Sequence, residues 1–174
     1  VREKELGTLE QIRVSPVTSL ELIFGKIIPY LIISLLIAYS ILLIGYILFG
    51  IVIKGSHLFL FLGTICYLMA TLSMGVLIST IADSQQVAFQ MAMLLSQLPT
   101  VVLSGFVFPI ESMPWPIQIL TNITPAKFYI VILRDILIKG AGFEAYKMQM
   151  VYLIIFATIL ISIAVIKTKK ANAV

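Results

Sequence analysis

Four stretches of the chain run without a charged side chain for long enough to cross a bilayer, at 27–53, 58–82, 84–110 and 148–166. A helical crossing needs about 20 apolar residues. Few other folds can use such runs, because a bilayer core leaves every backbone N–H and C=O to be satisfied inside the segment. Composition agrees: 60% of the 174 residues are hydrophobic and 11% are charged, against about 25% charged in a typical soluble domain. The predicted class is an all-α integral membrane protein with four transmembrane helices.

The region 111–147 is different. Its apolar pieces are short, and Pro114, Pro116 and Pro125 interrupt them. A re-entrant or interfacial helical hairpin suits such lengths better than a fifth crossing. Charge supports an even number of crossings. Arg2, Lys4, Arg13 and Lys26 precede the first run, and Lys167, Lys169 and Lys170 follow the last. Both ends are therefore expected in the cytoplasm. Lys54, Lys127, Arg134, Lys139 and Lys147 then fall outside, where Glu111, Asp135 and Glu144 dilute them. The layout is a cytoplasmic amphipathic segment at 1–26, three spans within 27–110, an outer hairpin at 111–147, a last span at 148–166 and a cytoplasmic tail at 167–174. The chain begins with Val1 and charged residues rather than a signal peptide, and is expected to be the C-terminal part of a longer protein.

The first 26 residues read as two capped helices. Thr8 with Gln11, and Thr18 with Glu21, have the spacing of capping boxes. Leu6, Leu9 and Ile12 recur near helical spacing, with Glu5, Glu10 and Arg13 around them. One reading is a helix lying on the headgroups; the other is a docking helix for a cytoplasmic partner.

In the third run Gln86, Gln90, Gln97 and Ser104 fall within about 40° of one another on an ideal helix. Met93 and Thr100 extend the stripe. Amides are costly in lipid, so this face should meet protein or water, either as the lining of a translocation path or as polar contacts between helices. Thr71, Gly75 and Ser79 form a small-residue track in the second run, suited to close helix packing. Pro29 is expected to bend the first span and Pro99 and Pro109 to kink or stop the third. Asp83 with Gln86 reads as a cap for the third span. In the hairpin, Trp115 and Tyr129 suit the membrane interface, and Arg134 has Glu111 or the neighbourhood of Asp135 as partners. The Asn122 sequon is taken as background.

Several chemistries lack their residues. No phosphate-binding G-x-x-x-x-G-K-[ST] loop occurs. No span carries an acidic residue, histidine, lysine or arginine within its charge-free core, as proton-coupled carriers usually require. Cys66 and His57 are single, without metal-ligand or catalytic spacing. No basic-aromatic patch suits nucleic acid. The net charge of +4 fits cytoplasmic loops and anionic headgroups.

The blocks "REKELGTLEQIRVSPVTSLELIFGKIIPY", "LISTIADSQQVAFQMAMLL", "LSGFVFPIESMPWPIQILTNITPAKFY" and "ILRDILIKGAG" resemble, in this order, the permeases of type 2 ABC exporters. The resemblance covers nearly the whole chain. It implies that the four spans are the third to sixth of a six-span permease, with two spans and a large outer loop preceding them. It implies a coupling helix around Glu5, Gly7, Thr8, Leu9, Glu10, Ile12 and Arg13 that docks a cytoplasmic ATPase. Partners would be that ATPase, a second permease copy or paralogue, and membrane lipids. ATP and Mg would be used by the ATPase and not bound by this chain. The location implied is the bacterial inner membrane. A gradient-driven channel or carrier, and a membrane scaffold without flux, remain the alternative readings.

Overall fold

The computed structural model describes residues 1–5, 7 and 18–172. Among these the regular structure is helical. A short helix α1 (Arg2–Glu5) precedes α2 (Ser19–Phe49) and α3 (His57–Ile81). The third span is α4 (Gln85–Ala92), a π-turn (Met93–Gln97) and α5 (Leu98–Leu103). The hairpin contains α6 (Trp115–Leu120) and α7 (Pro125–Arg134), followed by a second π-turn (Asp135–Lys139). The last helix is α8 (Lys147–Asn172). Four of these described segments are long and apolar enough to cross a membrane: Leu20–Phe49, His57–Ile81, Gln85–Leu103 and Lys147–Thr168.

Local chemistry sets where the spans begin and end. The capping box expected at Thr18 forms: the Glu21 N–H donates to Thr18 Oγ1 at 3.3 Å, and the Thr18 N–H donates to Glu21 Oε2 at 2.8 Å. The first helix ends at Phe49, four residues before the end of the apolar run. Gly50 adopts φ 64° and donates its N–H to the Tyr46 carbonyl at 2.9 Å. Glycine enters this left-handed region without a Cβ penalty. The β-branched residues 51–53 then leave the helix, so the expected span 27–53 is corrected at its outer end. Pro29 sits inside α2 without breaking it.

At the third span the cap is Ser84, not Asp83. Ser84 Oγ accepts the Val87 N–H at 3.2 Å. Pro99 does not end the helix. It has no N–H for the Leu95 carbonyl, and the π-turn directly before α5 takes up the mismatch. The last helix passes through the lysines at 167–170 to Asn172. The tail expected at 167–174 is therefore largely a continuation of α8.

The core lies where α3, α7 and α8 meet. Leu60, Ile132, Ile136, Tyr146 and Leu153 are all fully buried there. Closest approach occurs at Gly63, where an added Cβ would lie 3.0 Å from Ile132 Cγ2. A second cluster joins Ile23 and Ile27 of α2 to Ala164 of α8, with Met69, Leu72 and Val76 of α3 around them. The start of α2 and the end of α8 thus lie at one end of the bundle.

The hairpin is a true bend. The segments Trp115–Ile123 and Pro125–Lys139 meet at 86°. Thr124 is extended before Pro125, as a residue preceding proline prefers. Lys127 Nζ closes the corner by donating to Thr121 Oγ1 at 2.9 Å and Asn122 Oδ1 at 2.7 Å. The linker after α2 is strapped to the hairpin's π-turn, the Gly55 N–H donating to the Ile136 carbonyl at 2.9 Å.

Candidate functional site

The expected docking segment begins at the end of α1. Of its residues, Glu5 and exposed Gly7 are described; Thr8, Leu9, Glu10, Ile12 and Arg13 lie outside the described residues. Glu5 turns towards the third span. Its Oε1 accepts the backbone N–H of Gln85 at 2.7 Å, and its Oε2 accepts the Gln85 side-chain amide. These bonds, the side-chain one foremost, hold the Glu5 carboxyl below the usual carboxylate value. Close by in α1, Glu3 pairs with Lys26 of α2. A helix of four residues has no stability of its own; α1 is held by its ties to the first and third spans.

The six residues of the expected polar stripe are divided by a π-turn. Gln86 and Gln90 lie on α4 before the π-turn, Met93 and Gln97 within it, and Thr100 and Ser104 beyond it. A π-turn closes its hydrogen bond one residue later than an α-turn, which rotates the following face by about 100°. Gln86, Gln90, Met93 and Gln97 are exposed, Thr100 is half-buried and Ser104 is buried. Ser104 acts in the turn after α5, where its Oγ accepts the Phe106 N–H at 3.3 Å and Gly105 takes φ 79°. No residue of α4, the π-turn or α5 is buried. The third span carries its amides on a surface the rest of the described chain leaves open.

Among the described residues the small-residue track is not the packing face. Gly75 is exposed, and a Cβ added there would meet nothing within 4 Å. Thr71 bonds its own helix, donating to the Leu68 carbonyl at 3.1 Å. Gly75 and Ser79 instead line an open groove of about 510 Å³ beside Arg2, Lys26 and Tyr30. The face that packs carries Leu60, Gly63, Thr64, Tyr67 and Ala70. Their three- and four-residue spacing was the signal available in the sequence.

In the hairpin, Trp115 is 74% exposed, and Glu111 is exposed as well. Tyr129 is not a surface anchor: its ring stacks on Tyr67 at 4.3 Å and its hydroxyl lies 2.9 Å from that of Thr64. Arg134 was expected to find an acidic partner, but its Nη2 donates to the Gly105 carbonyl at 3.2 Å, tying the hairpin to the end of the third span. Asp135 is buried and pairs with Lys139 at 2.7 Å. Its neighbour in the core, Tyr146, is fully buried, and burial followed by the nearby Asp135 charge pushes its hydroxyl above the usual value.

Comparison with known proteins adds the family. The model described as "ABC-2 family transporter protein" matches residues 1–166. The chain is 36% identical over 169 residues to "Probable multidrug ABC transporter permease YbhS" of Escherichia coli K12, covering 97% of this chain and 45% of that protein. It is 32% identical over 171 residues to "Inner membrane transport permease YhhJ" of the same organism, covering 98% and 46%. With "ABC transporter G family member 20" of Dictyostelium discoideum it shares 29% over 168 residues, covering 95% and 23%. No solved structure matches. The chain spans less than half the length of these curated relatives. It is an α-helical, multi-pass membrane segment of a transporter permease, and it belongs to the ABC-2 transporter family.

Proposed function

We propose that the chain is the C-terminal half of the permease of an ATP-driven exporter. In this reading the segment around Gly7–Val14 docks a cytoplasmic ATPase, which binds ATP with Mg and supplies the energy. A second permease copy or paralogue completes the path, and both ends of the chain lie in the cytoplasm of the inner-membrane protein. The observation that carries the reading is the exposed third span. Gln86, Gln90 and Gln97 stand in an apolar helix with no buried residue. Such amides need protein or water beside them, so this surface is assigned to the seam between permease halves. Gln97 and Thr100 line the path there, while Gln86 and Gln90 lie nearer its cytoplasmic mouth. A surface that is mainly apolar with a few amides suits an amphipathic cargo, in keeping with the multidrug name of one relative.

The test is retention of the ATPase by the full-length permease in mild detergent, with and without Leu9→Asp together with Ile12→Asp. Retention by the native protein and loss in the double variant is the expected result. Absence of any ATPase from the native protein refutes the docking role. For the path, Gln97→Leu should change cargo preference while leaving the assembly intact. Weakened dimerisation alone would make the amides interhelical contacts.

A further inference from the structure

We infer that Glu5 is a positioning residue that links the docking segment to the third span. The inference rests on the docking reading above and deepens it. Glu5 and Gln85 are distant in sequence, yet their contact is two-pronged. The carboxylate takes both the first backbone N–H of α4 and the amide of the Gln85 side chain. A carboxylate at this place is favoured twice, by the unsatisfied N–H groups of the helix start and by the helix dipole. Charge-assisted bonds of this kind exceed neutral ones in strength. On the other side of α1 the Glu3–Lys26 pair holds α2. Movement of residue 5 therefore bears on both the first and the third span.

The third span is the one that would respond. It has no buried residue from Gln85 to Leu103, so side-chain packing among the described residues resists its displacement little. Its N-terminal turn is held by Ser84 and Glu5, and its far end by the bond from Arg134 to Gly105. Between them lies the π-turn Met93–Gln97. A π-turn is a place where helical register shifts by migration of one wide hydrogen bond. A pull on Gln85 is thereby converted into rotation at Gln97. Glu5 acts through Gln85 and touches no cargo.

The experiment is hydrogen exchange on the full-length permease in lipid nanodiscs with its ATPase, comparing ATP plus vanadate with no nucleotide. Native protein should show a nucleotide-dependent change at amides 85–88. Glu5→Ala should abolish that change in samples matched for bound ATPase. The exchanged pair Glu5→Gln with Gln85→Glu should restore it, since amide and carboxylate still meet; a merely structural role predicts no such rescue. A nucleotide response that persists in Glu5→Ala, or is missing from the native complex, overturns the link. If the native permease retains no ATPase, the docking reading fails on its own. The contact is then read in the permease alone, where Glu5→Ala should speed exchange at 85–88 by about threefold; unchanged exchange overturns the cap as well.

Discussion

Replacing Gly63 tests where the helices meet. A Cβ at this position would lie 3.0 Å from Ile132 Cγ2. Carbon atoms in contact settle at about 3.5–4.0 Å, so α3 and α7 must part by a few tenths of an ångström. The neighbour cannot swing aside. Ile132 is fully buried in the cluster with Leu60, Ile136 and Leu153, and a β-branched side chain in a helix has essentially one χ1 setting. Overpacking of this kind costs about 1–3 kcal/mol. Alanine recovers about 1 kcal/mol from its better helix propensity, so Gly63→Ala should lose roughly 0–2 kcal/mol. Valine adds two methyl groups to the same contact, and Gly63→Val should lose about 2–4 kcal/mol. Gly75 is the control, because its Cβ meets nothing within 4 Å. The assay is unfolding of the purified permease in detergent, followed by loss of the monodisperse peak on heating. Gly63→Val should melt well below Gly75→Val. Adding Ile132→Leu, which removes the Cγ2 branch, should recover part of the loss. Equal melting of the two valine variants would refute the assignment of Gly63 to the packing face of α3.

Three further outcomes are expected. Gly55→Ala places a Cβ 3.0 Å from the Ile136 carbonyl oxygen; it should cost about 1–3 kcal/mol and expose the 51–56 linker to proteolysis. Thr64→Val and Tyr129→Phe should show a coupling of about 0.5–1.5 kcal/mol in a double-mutant cycle, and strict additivity would contradict their 2.9 Å contact. The Glu5 carboxyl is held below its reference value of 4.5, so its contribution is fully present above that pH and is lost as pH falls through the lowered value. Exchange at amides 85–88 should therefore be constant from neutral pH down to about pH 5, after correction for intrinsic rates, and become less protected below it. Protection lost nearer pH 7 would point to another group.

The number of spans was legible because a bilayer imposes it. Four charge-free runs predict four long apolar helices, and four are found; the proline-broken stretch between the last two folds as a pair of segments bent by 86°. Capping at Thr18 was legible for a similar reason: its partner Glu21 is three residues away, and the bond is local. The π-turn was less so. Pro99 signals a fault in the third span, but whether the helix ends, kinks or widens depends on what lies around it. That choice changes the angle between Gln86 and Gln97 from the one an ideal helix gives.

Which small residue packs and which stays open was decided by the fold. Gly63 and Gly75 are both glycines within one apolar helix, and α-helical spacing puts them on different faces without saying which face packs. Only the arrival of α7 and α8 on the Gly63 side decides that, because close approach is a property of two surfaces. The same holds for Tyr129, drawn inward by Tyr67 and Thr64, and for Glu5, which finds Gln85 only after two spans have crossed and returned. By itself the sequence determined the apolar lengths, the local caps and the breaks, since each depends on neighbours along the chain. Tertiary structure decided the faces, the packing partners and the tie from α1 to the third span, since each depends on groups that folding alone brings together.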